Sequence, residues 1–127
     1  MHVLLDTNAL LAASQFRVDI YEQLKDKGYT RFVTLDRCVH ELKELGTQRK
    51  LKADVAVALD LMVKNSVVIV AFDETKERTV DDAILAYAKA HYNRITVATL
   101  DAKLIERLKR EQITVIRLRQ RRYMTDA

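Results

Sequence analysis

The sequence predicts an α/β fold: a three-layer α/β/α sandwich around a central, mostly parallel five-stranded sheet. Two observations predict it. Five short runs of apolar or β-branched residues recur along the chain, and between them lie stretches whose apolar residues repeat with helical spacing. Strands that alternate with helices need right-handed crossovers, which lay the strands parallel and cover both faces of the sheet. A third observation concerns continuity. There is no proline, the only glycines are Gly28 and Gly46, and no Ser/Gly-rich linker or low-complexity tract breaks the alternation. With 127 residues, 49% of them hydrophobic, the chain is expected to form one domain over 1–127 with a single core.

Strands are expected at 2–5, 30–34, 67–72, 94–98 and 114–118. The first, Val3-Leu4-Leu5, runs directly into Asp6 and then Thr7-Asn8-Ala9-Leu10-Leu11, a buried-strand signal followed by polar residues and an apolar helix start. After the second strand, Cys38, Leu42 and Leu45 form the apolar stripe of a helix. In 51–63, Leu51, Val55, Leu59 and Met62 hold helical spacing, and in 80–91 Val80, Ala83, Ile84, Tyr87, Ala88 and His91 form one continuous face. Leu104, Ile105 and Leu108 do the same between the fourth and fifth strands.

The formal net charge is +4, and the excess is concentrated near the end of the chain. Arg117, Arg119, Arg121 and Arg122 fall within six residues beside Tyr123, after a helix that carries Lys103, Arg107, Lys109 and Arg110. Guanidinium groups bind phosphate with forked hydrogen bonds, so these arginines are candidate nucleic-acid contacts; a solvated basic tail is the alternative. The single cysteine, Cys38, sits among apolar neighbours and cannot form an internal disulfide. It reads as a small core residue in a reducing, cytoplasmic setting. No run of 18 apolar residues is present, so no membrane span is expected, and the chain opens on a strand rather than a signal peptide.

Chemistry is signalled by acids placed where strands give way to helices: Asp6, Glu41, Asp82 and Asp101. Ligands of an open α/β sheet bind at the carboxyl ends of its strands. Asp6 gains little structurally from following an apolar strand, apart from capping a helix, whereas each of the others has a structural account. Glu41 fits an exposed helical position at the edge of the stripe. Asp81 and Asp82 follow Thr79 in a capping pattern with a carboxylate at the third position, and acids in a first turn favour the helix dipole. Asp101 suits an N-cap. His40 has no histidine or cysteine at metal-ligand spacing and is read as structural.

The combination alters that balance. In a parallel sheet all the carboxyl ends share one edge, so acids from several strands and helices converge there. Converging carboxylates repel unless a cation compensates them. Oxygen ligands without a histidine or cysteine cluster favour Mg²⁺ or Mn²⁺ over zinc. Thr7 and Asn8 are candidates to support the carboxylate by hydrogen bonding.

In these segments the chain resembles the PIN-domain ribonucleases over essentially its full length. The resemblance is carried by Leu4-Leu5-Asp6-Thr7-Asn8, Val39-His40-Glu41-Leu42, Asp82-Ala83-Ile84-Leu85-Ala86 and Thr99-Leu100-Asp101. It is similar to compact archaeal members with an Arg-rich end, and to the PIN domains of rRNA-processing factors. The resemblance implies that Asp6, Glu41, Asp82 and Asp101 are catalytic residues and ligands of one or two Mg²⁺ or Mn²⁺ ions, with Asn8 and Thr99 as supports. Asp82 is preferred to Asp81 because the Ala-Ile-Leu-Ala helix start follows it directly. The implied activity is metal-assisted hydrolysis of RNA phosphodiester bonds, by a VapC-type toxin or an RNA-maturation enzyme. RNA rather than DNA rests on the resemblance alone. An antitoxin or ribosome-assembly partner, and a homodimer, belong to the same expectation. No protein nucleophile suggests itself, because Ser14 and Ser66 lack a histidine partner in sequence.

Two other classes compete. One is a non-catalytic RNA-binding PIN module of rRNA maturation, in which the acids only cap helices and the arginines bind. The other, a phospho-receiver, needs an acidic pair after the first strand, where Leu4-Leu5-Asp6-Thr7 offers one acid.

Overall fold

The computed structural model describes residues 1–15, 19–72, 79–118 and, for the backbone, 125–126. Its elements run β1 (His2–Leu5), α1 (Thr7–Gln15), α2 (Ile20–Asp26), β2 (Arg31–Leu35), α3 (Asp36–Leu45), α4 (Lys52–Lys64), β3 (Val68–Val70), α5 (Val80–Ala90), β4 (Ile95–Thr99), α6 (Ala102–Arg110), β5 (Thr114–Arg117) and β6 (Thr125–Asp126). A 3₁₀ turn at Arg49–Leu51 leads into α4. The sheet order is β3-β2-β1-β4-β5-β6. All pairs are parallel except β5 with the two-residue β6. The predicted five-stranded parallel α/β sheet is therefore borne out. The antiparallel β6 adds a sixth strand that no apolar run announced, since Thr125 and Asp126 carry no strand signal.

Alternation along the strands builds two cores. Val3, Leu5, Phe32, Ala98 and Ile116 face α1, α2 and α4, whereas Leu4, Val33, Val97 and Val115 face α5 and α6. α3 contributes to both, with Val39 and Leu42 on one side and Cys38 on the other. β1 and β4 read as runs of apolar and β-branched residues because both of their faces are covered. β3 is shorter than its apolar run predicts and lies at the sheet edge, where Val68 is 54% and Ile69 52% exposed.

Each helix before a parallel strand ends in a turn with positive φ, at Gly28 (99°), Ser66 (55°), Asn93 (68°) and Gln112 (59°). Three of these turns close with the same long-reach bond: Tyr29 N–H to Leu24 O, Val67 N–H to Met62 O and Ile113 N–H to Leu108 O. That bond is the signature of a Schellman cap, which satisfies orphan helix carbonyls and sets an apolar residue back onto the helix. A chain with so little glycine places Ser66 and Gln112 where glycine is preferred.

The chain leaves β1 toward β2 on one side and later returns to place β4 on the other. The crevice between β1 and β4 is thus the topological switch point of the sheet. Among the described residues no helix is long and apolar enough to cross a membrane.

Candidate active site

Asp6 follows β1 at this crevice. Its backbone carbonyl accepts from Leu10 N–H at 3.0 Å and its Oδ1 from Ala9 N–H at 2.8 Å, so it caps α1. Its Oδ2 accepts a short hydrogen bond from the Thr99 hydroxyl at the end of β4. The register dictates this meeting: Leu5 pairs with Ala98, which sets Asp6 and Thr99 side by side on the α5–α6 face. Asp6 is only 5% exposed. Burial pushes its carboxyl up to about 6, Thr99 and Ala9 pull it down, and the charges of Asp81 and Asp101 push it up again.

Thr99 has a second role. Its Oγ1 accepts from Asp101 N–H at 3.1 Å, so one hydroxyl links the two acids that follow β1 and β4. Asp101 caps α6, its Oδ1 accepting from Lys103 N–H at 2.9 Å and Leu104 N–H at 3.3 Å. It also stands within hydrogen-bonding reach of Asp81. Asp81 is held above the usual carboxylate range by burial and by the charges of Asp101 and Glu41, with Arg107 acting the other way.

Asp82 is turned elsewhere. It completes a capping box with Thr79, giving its N–H to Thr79 Oγ1 at 3.1 Å while Oδ2 accepts from Thr79 N–H at 3.3 Å. Its Oδ1 accepts from Arg107 Nη2 at 2.7 Å, an ion pair that ties α5 to α6. Arg107 and the capping bonds hold the Asp82 carboxyl below its ordinary range. The sequence preference was for Asp82; in the structure Asp81, one residue earlier in the same turn, is the acid that faces Asp101. The signal was present in the sequence, because a capping box consumes the carboxylate at its third position and leaves the preceding one free. Arg107 was read only as general basic charge.

Glu41 is exposed on α3 and lines an open groove of about 450 Å³ with Asp36, Arg37, His40, Glu44 and Val80. The groove runs to Val80, the neighbour of Asp81, so Glu41 borders the acids across the start of α5. His40 Nε2 lies 3.1 Å from Glu44 on the exposed face of α3, consistent with its structural reading. Of the expected supports, Thr99 meets Asp6, whereas Asn8 is exposed on the first turn of α1. The Thr7 hydroxyl donates to Cys38 O at 3.3 Å, fastening α1 to α3 instead of touching the carboxylate. Cys38 is fully buried, and burial followed by the Asp6 charge pushes its thiol up to about 11.

Arg117 is half-buried on β5, in register with Thr99. Parallel partners project to the same face, which puts Arg117 beside Thr99 at the acidic edge. Arg119, Arg121 and Arg122 lie outside the described residues.

The donors are all oxygen, which fits a hard divalent cation. As the side chains stand, Asp81 meets Asp101 and both charges are felt at Asp6, but among the described residues no three acidic, histidine or cysteine side chains form a ready-made cage.

Residues 3–121 match the family described as PIN like domain. The chain belongs to that family. Within this PIN-like chain the acids quoted above fall inside the matched span. Ribonuclease VapC4 of Methanocaldococcus jannaschii is 32% identical over 120 residues, covering 93% of this chain and 90% of that protein. The structure of the PIN domain endonuclease Utp24 superposes with a TM-score of 0.80 at 23% identity, covering 98% of this chain and 90% of that one. A domain of a functionally unknown protein from Methanocaldococcus jannaschii gives 0.65 at 15% identity, over 93% of this chain and 91% of that one. At that identity the Utp24 structure speaks for the PIN fold alone.

Proposed function

We propose that this PIN-like chain is a divalent-metal-dependent endoribonuclease that hydrolyses RNA phosphodiester bonds. The observation that carries the reading is Asp6: a buried carboxylate at the topological switch point, held by Thr99 and crowded by Asp81 and Asp101. Burying a carboxylate among like charges carries an electrostatic cost that a shared cation would offset. The kinship with a protein named a ribonuclease supports the same reading.

The residues that would hold Mg²⁺ or Mn²⁺ are Asp6, Asp81 and Asp101, with Glu41 across the groove. Bound there, the ion supplies Lewis acidity and charge neutralisation for phosphodiester hydrolysis. The chain supplies the rest. Thr99 fixes the rotamer of Asp6, the two N-cap bonds fix Asp101, and the Asp82–Arg107 pair sets the turn of α5 that presents Asp81. Arg117 is placed to receive a phosphate at the same edge.

The role is that of a VapC-type toxin or an RNA-processing enzyme acting in the cytoplasm as a homodimer, with an antitoxin or a ribosome-assembly factor as protein partner. Growth arrest on expression, relieved by a small protein encoded beside it, selects the toxin. The non-catalytic RNA-binding module of rRNA maturation is favoured by one observation: Asp82 and Asp101 are each fully accounted for as helix caps.

Cleavage of a labelled structured RNA by wild type, Asp6→Asn and Asp81→Asn, with Mn²⁺, Mg²⁺ or EDTA, tests the proposal. Turnover lost in both variants and in EDTA is expected. RNA binding with no metal-dependent turnover would sink the enzyme reading in favour of the binding module.

A further inference from the structure

The edge of the sheet opposite the acids carries the inverse charge. β1 starts at His2, which pairs with Arg31 at the start of β2 on one side and Ile95 at the start of β4 on the other. Arg94 directly precedes Ile95, and its carbonyl accepts from His2 N–H at 3.3 Å. Adjacent strands lie about 4.8 Å apart. Three neighbouring strand starts therefore gather His2, Arg31 and Arg94 at one edge of the sheet, with His2 and Arg31 in register and Arg94 one residue ahead of His2's partner Ile95. The turn before β4 adds His91, whose carbonyl accepts from Arg94 N–H at 2.9 Å, and Tyr92, 45% exposed. Arg31 and Arg94 are exposed, and His2 and His91 are half-buried.

Helix ends do not account for this cluster. Lys25, Lys64, Lys89 and Arg110 sit in last turns, where cations favour the helix dipole. Arg31 lies on a strand and Arg94 beyond the end of α5, so neither gains from that field. Four other cations have acidic partners: Lys25 with Glu22, Lys89 with Glu111, Arg107 with Asp82 and Arg110 with Glu106. Among the described residues, Arg31 and Arg94 have no carboxylate partner. Burial, followed by the charges of Arg31, the amino terminus, His91 and Arg94, lowers the pKa of His2. Folding has gathered cations and left them without a counter-charge, which an anion would supply.

We propose that the amino-terminal edge formed by His2, Arg31 and Arg94 binds the phosphate backbone of the RNA substrate, remote from the site of cleavage. The inference rests on the endoribonuclease reading above. Guanidinium groups fork onto phosphate oxygens, and Tyr92 offers an exposed ring on which a base can stack. Four to five strand residues, each rising about 3.3 Å, separate this edge from the acids by roughly 15 Å. A short oligonucleotide at the acids does not reach it, whereas a long or folded RNA does. The edge therefore sets affinity for extended substrate and leaves the chemical step alone.

The test uses the Asp6→Asn protein without metal, titrated with a long structured RNA and with a short single strand at several salt concentrations. Arg31→Gln/Arg94→Gln in that background is compared with Arg49→Gln/Lys52→Gln, which removes two exposed cations elsewhere. Loss of two phosphate contacts should lower the salt slope for the long RNA by about 1.4 to 1.8, at roughly 0.7–0.9 per contact. It should also weaken binding of the long RNA about tenfold or more, with the short strand and the reference pair unaffected. The same double substitution in the otherwise wild-type chain should cleave the short strand normally and melt no lower, since it removes repulsion. An unchanged slope and affinity for the long RNA, with short-strand cleavage intact, overturns the proposal and leaves the nuclease standing. Absence of cleavage by wild type under every metal condition overturns the nuclease reading, and this inference with it.

Discussion

Thr99 donates its hydroxyl hydrogen to Asp6 across 93 residues of sequence, and the same oxygen accepts from Asp101 N–H. One buried side chain, 0% exposed, thereby couples the acids that follow β1 and β4.

Thr99→Val keeps the shape of that side chain and removes the donor. An unpaired buried acceptor costs about 1–3 kcal/mol. The expected outcome is a loss of that size in urea unfolding, a further rise in the Asp6 pKa, and cleavage that falls steeply and recovers in part at higher pH. Thr99→Ser keeps the hydroxyl and should retain most of the activity.

Asp6 makes stability depend on pH in a direction opposite to most carboxylates. Its folded pKa of about 6 lies above its ordinary 3.8, so the folded state holds the proton more tightly than the unfolded chain. The contribution is fully present below the lower value and is lost as pH rises through the upper one. At about 1.4 kcal/mol per unit, the loss is on the order of 3 kcal/mol. Metal-free Asp6→Asn should show a flatter profile between those limits and melt higher than wild type at neutral pH, as measured by thermal scans in EDTA. A strongly destabilised Asp6→Asn would mean that the carboxylate is structural.

Asp81 and Asp82 should part company on substitution. Asp81→Asn is expected to abolish metal-dependent cleavage while leaving the metal-free melting temperature equal or higher, because it relieves repulsion with Asp101 and Glu41. Asp82→Asn breaks the Arg107 pair and weakens the cap, so it should melt lower and yet keep metal binding, read by isothermal titration with Mn²⁺. The reverse pattern would return the ligand role to Asp82.

Gln112 and Ser66 hold positive φ at the ends of α6 and α4. Left-handed geometry costs an ordinary residue roughly 1–2 kcal/mol. Gln112→Gly and Ser66→Gly should therefore each stabilise by about 0.5–1 kcal/mol net of unfolded-state entropy, without altering cleavage. Asn93→Gly should gain less, because asparagine tolerates this conformation.

The fold was legible wherever burial was two-sided. β1 and β4 are almost wholly buried and rich in apolar and β-branched residues, and their sheet positions follow from the alternation with helices. β3 misled in length because an edge strand can be apolar and exposed, and β6 left no trace because two backbone pairs need no particular side chains. α2 is only seven residues long, too short for a decisive stripe. At the site, Asp6 and Asp101 could be read from their place after strands. Choosing between Asp81 and Asp82 required knowing which carboxylate the cap consumes and that Arg107, a turn and a half into another helix, would claim it. Asn8 stands apart from the Asp6 carboxylate for a simple geometric reason: in the first turn of α1 Thr7 is buried and Asn8 exposed.

The crevice between β1 and β4 also imposes an order of events in time. Asp6 is made with β1, but its partner hydroxyl arrives only with Thr99, 93 residues later, and Asp101 follows it. No shorter nascent fragment contains the acid cluster. A nascent chain thus lacks the assembled cluster until β4 pairs with β1, a contact of long sequence separation.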